Sequence, residues 1–205
     1  FVPGGVAREK FPFSVWQRLL KEALADPNSL RRSDPQGDPG LRQAVAGYLY
    51  AARGVRCGVE QVVIGAGSDA LLSILSYLLP PGCTMAVENP VYNRAYRLFA
   101  RMGHPVQPAE IDLQGVLVEP LRDLDNAVLY TTPSHQYPLG ISMPMGRRVK
   151  LLNWAGAGRF RYIIEDDYDS EFRYDARPVP SLQSIDHNGR VIYLGTFSRS
   201  VAPSL

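Results

Sequence analysis

The chain has 205 residues, of which 45% are hydrophobic and 20% charged, and it carries a net charge of +2. This composition excludes a disordered or fibrous chain and supplies a core for one α/β domain or a large part of a bigger enzyme. Three of the 22 basic residues are lysines (Lys10, Lys21 and Lys150) and the other 19 are arginines. The arginines are scattered, with short pairs such as Arg31-Arg32 and Arg147-Arg148, so no polybasic stripe marks a nucleic-acid surface. Chemistry that needs a lysine amine has three candidates.

Cys57 and Cys83 have no metal-ligand or CxxC spacing and read as reduced cysteines of a cytoplasmic protein. No apolar run approaches the roughly 18 residues that span a bilayer, so no membrane contact is expected. The start at Phe1 lacks a methionine and a signal pattern, and residues 198–205 end without a capping signal. Both ends read as cut, and the chain is expected to be a fragment.

Ser14 is placed to cap a first helix with Trp16, Leu19, Leu20, Ala23 and Leu24 on one face, stopped at Pro27. Residues 31–40 form a loop of turn-forming residues. Asp38 then caps and Pro39 starts a second helix, with Leu41, Val45, Tyr48 and Leu49 inward and Gly54 at its end. From there strands and helices alternate. Val62-Val63-Ile64 reads as a short buried strand. Gly67 and Ser68 open a helix reaching about residue 79. Residues 85–87 form a strand and 92–102 a helix. Residues 105–110 and 127–131 form strands, and 144–157 a helix. Residues 162–164 form a buried strand running into an acidic cluster, and 191–194 the last strand. The pattern predicts an α/β fold of three layers, αβα, with a mainly parallel sheet. Ligands in such sheets sit at the carboxyl ends of strands, where the polar clusters fall.

Gly65-Ala66-Gly67-Ser68-Asp69 suits a phosphate at a helix start and equally suits a tight turn. In Glu88-Asn89-Pro90-Val91-Tyr92 the Tyr92 ring could stack on a flat ligand or simply pack, and Arg94 could bind a carboxylate or be a solvated helix residue. Residues 132–140, TPSHQYPLG, gather polar side chains between prolines. In Glu165-Asp166-Asp167-Tyr168-Asp169 a buried carboxylate could hold a ring nitrogen protonated. A metal-dependent hydrolase using Asp166, Asp167 and Asp169 is the remote competing reading, but Ser170 leaves the spacing of a metal motif incomplete. Gly195-Thr196-Phe197-Ser198-Arg199 is a small-residue loop ending in a cation, which suits a phosphate or a plain surface loop.

Taken in this order, DPQGDPGLRQAVAGYL, ENPVY, YTTPSHQYPLG, RRVKLLNWA, IIEDDYDSEFRY and VIYLGTFSRSVAPSL resemble the fold-type I, class I/II aminotransferase domain, which binds pyridoxal phosphate. The resemblance covers nearly the whole chain. More narrowly it is to the MocR-like regulators of the GntR superfamily, where such a domain follows a DNA-binding winged helix. It implies an arm and helix over 1–40 and a truncated pyridoxal phosphate-binding large domain over 41–205. Ser68 and Asp69 would lie at the helix start near the phosphate, which Ser198 would help hold, and Tyr92 would stack on the ring. His135 and Gln136 would lie near the ring hydroxyl, which Tyr168 would hydrogen-bond. Asp166 would pair with the ring nitrogen, and Arg94 would take a substrate carboxylate. It also implies a homodimer, a small amino-compound ligand, and DNA contact only through a domain upstream of Phe1. A stand-alone aminotransferase fragment is the alternative. The family's Schiff-base lysine falls at Arg199, and a guanidinium stays protonated and is no usable nucleophile. The cofactor would therefore be held noncovalently at most. The family's Tyr-Gly pair before the first Asp-Pro is here Arg32-Ser33.

Overall fold

The computed structural model describes residues 8–172 and 180–202. The first residues of the expected arm, residues 173–174 of the acidic motif and residues 203–205 lie outside the described residues.

Helix α1 spans Phe13–Ala25 and starts from Pro12, so Ser14 lies inside the helix rather than capping it. The Pro12 carbonyl accepts from the amides of Val15 and Trp16, which leaves Ser14 no capping role. The helix buries none of its residues, and the apolar face expected to point inward leaves Leu19, Leu20 and Leu24 exposed. Helix α2, Pro39–Arg53, begins as expected: the Asp38 carboxylate accepts from the Leu41 amide at 2.8 Å. Gly54 ends it at φ 70°, a left-handed conformation that glycine adopts without strain. Replacing the cap, Asp38→Ala, is expected to cost about 1 kcal/mol, read as a lower chemical-denaturation midpoint at unchanged slope. The expected inward residues Leu41 and Tyr48 are exposed, and the buried side chain of α2 is Arg42. Its guanidinium turns back to the carbonyls of Gly37 and Val59, a contact that apolar periodicity cannot register.

Residues 62–64 are not part of the sheet, contrary to expectation. They run extended, with the Ile64 amide on the Gln36 carbonyl and Val63 exposed. Apolar β-branched character was present, but no neighbouring strand pairs with it among the described residues. Helix α3 follows, Ser68–Leu78, then β1, Thr84–Asn89, and α4, Asn93–Arg101. Next come β2, Val106–Asp112, and β3, Gly115–Val116, a two-residue antiparallel partner too short to show as a pattern. Then follow β4, Asn126–Thr131; α5, Met145–Ala157; β5, Phe160–Asp167; and β6, Val191–Gly195.

The sheet order is β3-β2-β1-β4-β5-β6, and every pairing but β2–β3 is parallel. Alternation along the strands divides the core in two. Ala86, Ala127, Leu129 and Ile163 face Leu151 and Trp154 of α5. Met85, Val87, Val128, Tyr130 and Ile164 face Leu72 of α3 and Phe99 of α4. Helices therefore cover both faces, as the expected three-layer α/β fold requires.

Buried arginines clip the connecting segments to this frame. Arg148 is fully buried and donates to the carbonyls of Pro133, Met143 and Pro180. Arg161 reaches the carbonyls of Arg122, Leu124 and Trp154 and the Asp125 carboxylate. A planar fork with five N–H donors can satisfy several carbonyls at once, which an ammonium on a flexible stem does less well.

Candidate functional site

Parallel pairing of β1, β4, β5 and β6 delivers their following loops to one edge of the sheet. Val87 lies opposite Tyr130, Thr131 opposite Glu165, and Asp167 opposite Gly195. The segments carrying Tyr92, residues 132–140, Asp166–Asp169 and residues 196–199 all follow from that edge.

The acidic strand end is divided by the same alternation. Asp166 is buried, and its Oδ2 accepts the Tyr130 hydroxyl. Asp167 is turned elsewhere: its Oδ2 takes the Arg53 guanidinium at 2.7 Å and the Tyr193 hydroxyl at 2.6 Å. Asp169 holds His135 Nδ1 at 2.7 Å. These three carboxylates are committed to separate partners, and among the described residues no cluster of three or more His, Cys, Asp or Glu could hold a metal ion. Nothing in this geometry supports the metal-hydrolase reading.

Burial pushes the Asp166 carboxyl up to about 7, with Asp167 and Glu88 adding to the rise and the Tyr130 hydrogen bond opposing it. Burial likewise raises Glu165 to about 7, against hydrogen bonds from the amides of Gln183 and Leu182. Unfolded carboxyls titrate near ~4, so between about pH 4 and 7 the folded chain holds protons that the unfolded chain has lost. The resulting stability is complete below that window and is lost as pH rises through about 7. The melting temperature is therefore expected to fall between about pH 5 and 7, and Asp166→Asn to flatten the slope. A slope unchanged by that substitution would contradict the assignment.

The 132–140 loop is pinned from inside. Gln136 is buried, its amide donates to the carbonyls of Pro90 and Tyr137, and its oxygen accepts from the Leu139 amide. Its polar atoms are thus used within the loop and on the segment after β1, which makes it a support for the neighbouring residues. Glu88, buried at the end of β1, accepts from both hydroxyls of Thr131 and Thr132 and from the Thr132 amide. These bonds oppose the burial that raises its carboxyl. Tyr168 donates to the His135 carbonyl at 3.0 Å, which ties the β5 loop to the β4 loop.

Tyr137 completes an aromatic group that sequence reasoning missed. Its ring meets Tyr92 edge-on at 5.9 Å and Tyr168 edge-on at 6.2 Å. His135 lies nearly parallel to Tyr168 at 6.3 Å. The signal was available inside TPSHQYPLG, but only the polar residues of that motif were read as site residues.

Ser68 and Asp69 occupy the first turn of α3, whose cap is Gly67 at φ 87°. A Cβ at Gly67 would meet nothing within 4 Å, so the approach to the free amides of the helix start is open. Arg94 sits 3.8 Å from Asp69, and both side chains are largely exposed. Ser198 exchanges a hydrogen bond with the Thr196 hydroxyl at 2.9 Å and donates its amide to that oxygen. Arg199 is exposed, and its charge opposes the rise that burial and Asp169 impose on the Tyr168 phenol. The Arg199 cation thus acts on the same side chain as the Asp169 carboxylate.

An open helix start, an aromatic group and a buried carboxylate at adjoining strand ends suit a flat, phosphorylated, nitrogen-containing ring, the chemistry of pyridoxal phosphate. The residues fit the ring and the phosphate. They do not fit a covalent bond at residue 199, where no amine is present.

The profile of the aminotransferase class I and II family matches residues 6–202. The chain belongs to this family, whose cofactor is pyridoxal phosphate. It is 43% identical to the HTH-type transcriptional regulator YdeL of Bacillus subtilis, over 98% of this chain and 44% of that protein. It is 39% identical to the rhizopine catabolism regulatory protein MocR of Rhizobium meliloti, over 100% of this chain and 42% of that one. Among solved structures, the kynurenine aminotransferase of Pyrococcus horikoshii in complex with PMP superposes with a TM-score of 0.85. That match is at 29% identity over 95% of this chain and 51% of the other. The chain therefore spans about half the length of the proteins it matches. Among the described residues no helix is long and apolar enough to cross a membrane.

Proposed function

We propose that this chain is the pyridoxal phosphate-binding, aminotransferase-like part of a MocR-type transcriptional regulator. In this reading it senses an amino compound or the cofactor itself, and holds the cofactor without a covalent bond. The observation that carries the reading is Asp166, a carboxylate buried at the end of β5 whose hydrogen-bond partner is the neutral Tyr130 hydroxyl. Burial disfavours its charge standing alone, and a protonated ring nitrogen beside it restores that charge, because low local dielectric leaves the ion pair little screened. When bound, the cofactor supplies an electron-withdrawing ring.

In this arrangement the free amides at the start of α3, where Ser68 and Asp69 lie, and the Ser198 hydroxyl hold the phosphate, and Tyr92 stacks on the ring. Tyr168 and His135 serve the ring hydroxyl, with Gln136 fixing their loop. Arg94 meets the carboxylate of the amino compound once it leaves Asp69. Residues 1–40 act as an arm and residues 41–205 as the cofactor-binding domain. DNA contact belongs to a domain upstream of Phe1. A homodimer would cover the exposed apolar side chains of α1.

Asp166→Asn is expected to weaken pyridoxal phosphate binding about tenfold or more, because an ionic hydrogen bond is exchanged for a neutral one. Equilibrium dialysis of the full chain reads this directly, and unchanged affinity would remove the basis of the reading. A fragment of a stand-alone aminotransferase is the second reading, favoured by the likeness to the kynurenine enzyme. The gene sequence upstream of Phe1 separates the two: a winged helix there identifies the regulator, and its absence the enzyme.

A further inference from the structure

We infer that Tyr130 is a positioning residue for the cofactor's ring nitrogen, acting through Asp166; this rests on the function proposed above. Ile164 and Asp166 are two residues apart on β5 and share one face of the sheet, and Tyr130 on β4 lies directly opposite Ile164. A tyrosine is long enough to reach diagonally to the next side chain on that face. Tyr130 is fully buried, with its ring edge-on to Phe99 at 6.0 Å, so the hydroxyl has little freedom to move.

The hydroxyl donates to Oδ2 of Asp166. Among the described residues Oδ1 takes no hydrogen bond, and the residue keeps 7% exposure, so the carboxyl is not sealed. One oxygen is thus fixed and the other is left for a ligand. The neighbouring carboxylate is treated differently, since Asp167 already has the Arg53 cation. A phenol orients Asp166 without neutralising it, so the attraction remains for an incoming cationic ring. Tyr130 touches neither ring nor phosphate in this account, and its effect passes entirely through the carboxylate.

The test compares pyridoxal phosphate with its deaza analogue, in which the ring nitrogen is replaced by CH. Both carry the same phosphate, hydroxyl and aldehyde. In the full chain, Tyr130→Phe is expected to weaken pyridoxal phosphate about tenfold and to leave the analogue within about twofold. The loss is expected to vanish when Tyr130→Phe is made on top of Asp166→Asn, since the two residues then have no charge to share. Equal weakening of both ligands would overturn the inference, because Tyr130 would then only support the pocket. No weakening of either would overturn it as well. If the unsubstituted chain binds neither ligand, the proposed function itself falls, and this inference with it.

Discussion

Arg199→Lys is expected to give the full chain a pyridoxyl group that borohydride fixes at residue 199, in a yield approaching one per chain; the unsubstituted chain acquires none there. The difference is chemical rather than steric. A guanidinium loses its proton only above about pH 12 and stays a cation under any condition in which the protein is folded. A lysine amine can be deprotonated and attack a carbonyl. The rest of the chain supplies no substitute: Lys10 precedes α1, Lys21 lies within that exposed helix, and Lys150 lies on α5. The substitution leaves the supporting residues intact, because Arg199 is exposed and makes none of the buried clips described for Arg148 and Arg161. Borohydride reduction followed by peptide mapping provides the measurement. A pyridoxyl group on residue 199 in the variant supports the lysine-to-arginine account. Its absence, with noncovalent binding retained, would mean that residue 199 does not face the cofactor.

Arg148→Met is expected to be the most damaging single substitution in the frame of the site. It removes a fully buried fork from the carbonyls of Pro133, Met143 and Pro180, and leaves Glu165 without the cation 3.7 Å away. Breaking one side of a buried, hydrogen-bonded charge arrangement costs about 3–5 kcal/mol. At this chain length each kcal/mol lowers the melting temperature by about 2–4 °C. The loss also reaches the site, since Pro133 begins the loop that carries His135 and Tyr137. Arg94→Ala provides the contrast, because the Arg94–Asp69 pair is exposed and its loss should stay within about 0.5 kcal/mol. Calorimetry of the two variants side by side checks both expectations. Comparable melting temperatures would contradict the role given to the buried arginines.

The sheet was legible because alternation and strand-end polarity repeat four times in one chain. Residues 85–87, 127–131, 162–164 and 191–194 all fall in observed strands. Residues 62–64 misled because β-branched apolar residues record a tendency to extend but not the presence of a partner. The apolar face of α1 misled in a similar way, since periodicity reveals a face and not what covers it. Helix caps were read correctly at Asp38 and Gly54, where side-chain chemistry is local, and incorrectly at Ser14, where Pro12 already sets the start.

Of the candidate site, the interior carboxylate was legible in the acidic run that ends β5, and Asp166 is buried there. Tyr130 was not, because it looks like any core tyrosine until the register between β4 and β5 sets it across from Ile164, within diagonal reach of Asp166. The buried arginines were hidden for the same reason. Arg42, Arg148 and Arg161 satisfy carbonyls distant in sequence, and in the sequence they count only as charge. The excess of arginine over lysine thus has a structural side in these clips and a chemical side at Arg199.

The most direct test of a cofactor site without an amine is retention of pyridoxal phosphate under two conditions. The full chain is dialysed to equilibrium with the cofactor, passed through a desalting column, and then denatured without reduction. The account predicts about one cofactor per chain in the folded protein and complete release on denaturation, with binding weakened by Asp166→Asn. Failure of the folded chain to retain any cofactor, or a cofactor that stays bound to a lysine after borohydride treatment and denaturation, would contradict it.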